Sequence, residues 1–91
     1  MNQKSYYNTS LPWLEYDLKL RNVKWKRFRS CQAWTYYDDD KNLWIKSYNT
    51  LVAVISRTGG LSIRGHYSTT TSKQITMIYN SYRDGTLDYK D

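Results

Sequence analysis

Six cations fall within eleven consecutive positions, Lys19, Arg21, Lys24, Lys26, Arg27 and Arg29, with no acidic residue among them. Trp25 and Phe28 lie between them. Lys and Arg neutralise phosphates and release their condensed counterions, and exposed aromatic rings offer bases a face to stack on. The formal net charge of the chain is +6, so this one segment matches the whole excess and the charges elsewhere balance. Lys19, Arg21, Lys24, Trp25, Lys26, Arg27, Phe28 and Arg29 are therefore the predicted binding residues, directed at nucleic acid or at an acidic protein surface. The plainer reading is a solvated strand with Trp25 and Phe28 in the core. Unopposed like charges at this density repel one another, which argues for an anionic partner.

Other residues suggest chemistry and then fail a spacing test. Asp38, Asp40 and Asn42 occupy the first, third and fifth places of a calcium loop. Leu43 then stands where the loop needs Gly and Asn49 where it needs a bidentate Glu, so a solvated turn is expected. His66-Tyr67-Ser68 sets a base near a hydroxyl, but strand neighbours point to opposite faces and no acidic orienter follows. Cys31 is the single cysteine and forms no internal disulfide; Arg29 beside it could lower its pKa, yet a small buried thiol is the commoner outcome. No catalytic residue, metal or cofactor is expected, and the chain is expected not to be an enzyme.

The elements that must carry these residues follow from periodicity. At 91 residues the chain has room for one small core, which excludes two-domain enzymes and doubly wound cofactor folds. Four Trp and ten Tyr make that core aromatic. Residues 1–12 are polar, end in Pro12 and read as a mobile arm; 13–91 read as one domain. Leu14, Tyr16, Leu18 and Leu20 alternate with charged residues, which predicts a half-buried strand over 14–21. Asn22 either opens a turn, or Val23, Trp25 and Arg27 continue a second strand. Further strands are predicted over 31–37, 43–48 and 51–56, the last buried on both faces, with a loop at 38–42. Thr58-Gly59-Gly60 predicts a hairpin turn into Leu61, Ile63 and Gly65.

Near Thr69 the apolar period changes to about 3.6, with Ile75, Ile78, Tyr79 and Tyr82 on one stripe. Thr71-Ser72-Lys73-Gln74 matches a capping box and Gly85 a left-handed helix end, predicting a single helix near 71–83. The expected fold class is α+β, an antiparallel β-sheet meander with one C-terminal helix packed on a face. No apolar stretch has signal-peptide or membrane-span length, so a cytoplasmic protein is expected.

The stretch Ser47-Tyr48-Asn49-Thr50-Leu51-Val52-Ala53, followed by Gly65-His66-Tyr67-Ser68-Thr69-Thr70-Thr71-Ser72-Lys73-Gln74-Ile75, resembles a domain of unknown function of small phage and prophage proteins. In that family a Ser-Tyr-x-Thr-x-Val-Ala strand precedes a Tyr-Ser-x-Thr-Thr-Ser-Lys-His segment and a helix. Gln74 replaces the His, so any role of that imidazole is absent. A structural account of the motif pairs Tyr48 with Tyr67 across strands and lets Thr69, Thr70 and Thr71 cap the helix. The resemblance implies no activity. Its phage context implies an anti-CRISPR or other anti-defence inhibitor that occupies a host protein or ribonucleoprotein complex, such as a CRISPR nuclease, through the basic, aromatic segment. The alternative is a general single-stranded nucleic-acid-binding protein using the same residues.

Overall fold

Alternation of apolar residues decides most of the sheet. The computed structural model describes residues 11–29, 31–87, 89 and 90. In it Lys26–Phe28 (β1), Ala33–Tyr37 (β2), Leu43–Ser47 (β3), Thr50–Ile55 (β4) and Leu61–Ile63 (β5) pair antiparallel in chain order. The helix Thr69–Asp84 (α2) follows, and two residues, Tyr89–Lys90 (β6), then pair with β1. The sheet order is β5-β4-β3-β2-β1-β6. This is the α+β meander with a C-terminal helix that the periodicity predicts. Ten of the twelve residues read as an N-terminal arm, 1–10, lie outside the described residues.

The two faces of the sheet are buried unequally. Toward α2 point Phe28, Ala33, Leu43, Ile45, Ala53 and Ile55, which form one core with Ile75 and Ile78 of the helix. Each fully buried Ile or Phe of this layer contributes about 1.5–3 kcal/mol. β4 is buried along its apolar run, as predicted, because Leu51 and Val54 face the other way into a second core with Trp44. A register shift opposite Ile45/Lys46 makes this possible, since an extra residue lets the strand change which side chains face which layer.

The second core is closed by a helix that alternation does not predict. Trp13–Lys19 is helical (α1), not a strand. Leu14 and Leu18 are 73% and 67% exposed. The inward residues are Trp13, Tyr16 and Leu20, spaced three and four apart. Tyr16 stacks on Trp44 at 4.4 Å and Trp13 meets it edge-on at 6.1 Å. Large rings at helical spacing outweigh small alternating aliphatics, because they bury far more area. Glu15 in the first turn and Lys19 in the last complement the helix dipole. Among the described residues there are thus two helices and not the single one predicted, one on each face of the sheet.

Local corrections follow at the turns and caps. α2 is capped by Ser68, whose Oγ accepts from the Thr71 backbone N–H, and not by Thr71. Thr71 and Gln74 turn inward instead: Ser47 Oγ donates to Gln74 Oε1 at 2.7 Å and lies 3.2 Å from Thr71 Oγ1. Gly85 ends the helix at φ 70° as predicted. β5 stops at Ile63, so Tyr67 is not on a strand, and Tyr48 sits exposed in the β3–β4 turn at φ 55°. The cross-strand pair of these tyrosines does not form.

Candidate functional site

On the face that α1 only partly covers, the register sets aromatic and cationic residues side by side. Trp34 of β2 lies between Arg27 of β1 and Lys46 of β3. The Arg27 guanidinium stands 5.6 Å from the Trp34 ring centre, and Lys46 Nζ stands 5.5 Å from it. The same ammonium is 4.7 Å from the Trp25 ring, which packs against Tyr36 at 5.9 Å. The contacts therefore run from Arg27 through Trp34 and Lys46 back to Trp25, which directly precedes β1, a stripe in which cations and half-buried rings alternate.

Neighbouring elements hold each member in place. Trp25 Nε1 donates to the Leu20 carbonyl at 2.9 Å, which ties the ring to the end of α1. Arg27 Nε donates to the Cys31 carbonyl at 2.9 Å, which fixes the guanidinium over the β1–β2 connection. Lys46 is partly withdrawn from water, and that burial lowers its pKa from the ordinary lysine value. Among the described residues its ammonium is compensated by ring faces and by no carboxylate. Each such contact is worth about 0.5–1 kcal/mol at an exposed site. An anion that reaches Lys46 therefore meets a cation that has already lost part of its hydration.

The predicted basic segment is not one surface. Lys19 lies over the Tyr16 ring of α1, and Arg21 follows it beside a groove that also reaches Lys46. Lys24 is exposed in the approach to β1. Lys26 faces the α2 side, in register with buried Thr35. Arg29 also goes to that side, over the Phe28 ring and donating to Ser81 Oγ of α2 at 3.3 Å. Phe28 is 0% exposed, so it is a core side chain and cannot receive a base. Of the eight predicted residues the structure brings Trp25 and Arg27 into the stripe and places Arg21 next to it.

Lys46 and Trp34 are absent from the sequence reading, although a signal for them exists. The loop at 38–42 predicts that the strands on either side form a hairpin, and in its register Trp34 is directly opposite Lys46. Counting outward from the turn would have placed them together.

The remaining candidates are absorbed by structure. Asp38 Oδ1 accepts from the Asp40 and Asn42 backbone N–H groups, and Oδ2 from Asn42 Nδ2 and Trp44 Nε1. Ser68 is spent on the helix cap. Cys31 is half-buried against the α2-side core and its Sγ donates to the Phe28 carbonyl at 3.1 Å. Among the described residues no helix is long and apolar enough to cross a membrane.

A family model described as a family of unknown function (DUF8033) matches residues 2–91, nearly the whole chain and not only the stretch 47–75. No curated protein and no solved structure matches.

Proposed function

We propose that this chain, which belongs to that family of unknown function, is a non-enzymatic binding protein whose open sheet face takes an unpaired nucleic-acid strand. The observation that supports this reading is the Arg27, Trp34, Lys46, Trp25 stripe. A base that stacks on Trp34 replaces a cation over the ring and leaves that cation beside the phosphate that follows. The exchange trades a weak cation–ring contact for an ion pair and a stacked base, worth about 1–3 kcal/mol per base by alanine substitution. Stacking is indifferent to base identity, so the proposed binding is sequence-tolerant, and the proposed place of action is the cytoplasm.

A second reading uses the same residues on a different partner. A phage-type inhibitor would occupy a host ribonucleoprotein complex of a defence system. What favours it is that β1 sends Arg27 to one face and Lys26, with Arg29 beyond it, to the other. A strand that is cationic on both faces, with only the two-residue β6 outside it, suits insertion between two anionic walls.

The test is fluorescence anisotropy of a short single-stranded oligonucleotide at low salt, with the wild type, Trp34→Ala and Lys46→Gln, each checked by thermal denaturation. Binding that falls about tenfold or more in the folded Trp34 variant supports the strand. No binding by the wild type sinks it. Stoichiometric, turnover-free inhibition of a purified nuclease complex, lost on charge reversal at Arg27 and Arg29, would then support the second reading.

A further inference from the structure

The stripe ends in a groove of about 560 Å³ between the C-terminal end of α1 and the β3–β4 turn. We infer that this groove is a site for a phosphate monoester of a nucleoside, carried either by a free nucleotide or by the phosphorylated end of a strand. The nucleoside part rests on the strand-binding reading above; the phosphate part rests on the groove itself.

The charge count in the groove selects the ligand. Arg21, Lys46, Arg64 and Asp17 all line it. Asp17 is occupied by Arg64, whose Nη2 lies 3.0 Å from Oδ2 and whose Nη1 donates to Oδ1 at 3.3 Å. The same Nη1 also donates to the Leu51 carbonyl at 3.1 Å. That guanidinium is therefore a structural clamp between α1 and β4. Arg21 and Lys46 are left, two cations with no carboxylate partner among the described residues. A phosphate monoester near neutral pH carries close to two negative charges, whereas a phosphodiester inside a strand carries one. The pair is matched by the monoester and only half used by the diester.

Shape and walls agree with the charge. The volume lies within the range of small-molecule sites. Trp25 lines the groove as well as the stripe, and its ring is fixed by the bond to Leu20. A nucleoside attached to the phosphate would leave the groove past this ring toward Trp34. The turn that closes the groove carries backbone strain at Tyr48, a bulky residue held at φ 55° and 53% exposed. Strain of this kind costs about 1–2 kcal/mol and persists at ligand clamps more often than elsewhere.

The experiment compares one oligonucleotide in three forms, with a 5′-phosphate, with a 3′-phosphate and with hydroxyls at both ends, and adds a nucleoside monophosphate alone as competitor. A phosphorylated end is expected to raise affinity by about tenfold or more over the hydroxyl form, the gain of charge-assisted hydrogen bonds. Arg21→Gln is expected to bring that ratio close to one, and Arg21→Lys to restore part of it. Equal affinity for all three forms, without competition by the monophosphate, overturns the groove inference and leaves the strand reading standing. Competition by the monophosphate that Arg21→Gln abolishes, with no binding of the hydroxyl form, supports the groove as a nucleotide site and overturns the strand reading. A ratio unchanged by Arg21→Gln in a folded variant also overturns the inference.

Discussion

Asp38 shows how a single carboxylate can look like a metal ligand and serve a turn. Burial by itself raises its pKa, but the hydrogen bonds from Trp44 Nε1, from the Asn42 backbone and side chain and from the Asp40 backbone outweigh that and hold it below the ordinary value. The depressed carboxylate favours the folded state above the unfolded pKa, and the contribution is lost as pH falls through the folded one. Asp38→Asn is expected to lower the urea midpoint at neutral pH by an amount equivalent to about 1 kcal/mol, discounted because the group is partly in water. The difference from wild type should shrink below about pH 4. A difference that stays constant from neutral pH to about pH 3 would assign the effect to packing and not to charge. The turn itself was legible, since Asp and Asn bond their own backbone; the reach of Oδ2 to Trp44, six positions away, was not.

At the scale of elements, patterns within a few residues misled where a partner from elsewhere decides. On local grounds Thr71-x-x-Gln74 is the better cap, since it completes a capping box, while three residues after Ser68 stands Thr71 and not Glu or Gln. Ser47, on a strand beneath the helix, draws Thr71 and Gln74 inward, and the cap moves to Ser68. Likewise the alternation of Leu14, Leu18 and Leu20 reads as a strand until Trp44 supplies a surface for Trp13 and Tyr16, which only a helix can present together. Strands β2 to β5 were legible because turn residues bound them, with alternation marking β2 and a continuous apolar run marking β4 as buried on both faces. The cap assignment predicts a pattern of coupling. Ser68→Ala should cost about 0.5–2 kcal/mol in thermal or urea denaturation. Ser47→Ala and Thr71→Ala should be non-additive by about 0.5 kcal/mol or more, since they remove the same bond, whereas Ser68→Ala, whose Oγ reaches the shared Thr71 Oγ1 only at 3.5 Å, should couple to Ser47→Ala more weakly than that. Additivity of the first pair would mean that Thr71 does not face Ser47.

For the whole molecule the question is how its cations are divided between faces, because a linear polyanion can meet only one of them. Arg21, Arg27 and Lys46 lie on the groove and stripe side; Lys26 and Arg29 lie on the side of α2. For a single strand each neutralised phosphate contributes about −0.7 to the slope of log affinity against log salt, so three cations give about −2. That slope should flatten by about 0.7 in Lys46→Gln and stay near the wild-type value in the double variant Lys26→Gln with Arg29→Gln. The second reading predicts a different response, because a protein held between two anionic walls uses both faces at once. In that case affinity for the target complex should fall as much in the double variant as in Arg27→Gln, and its salt slope should be steeper than that for the oligonucleotide. The two slopes, measured on the same set of folded variants, therefore report which faces are engaged. A strand slope that flattens equally in Lys46→Gln and in the double variant would show that the polyanion does not follow the stripe, and would return the charged segment 19–29 to the role of an undirected attractor.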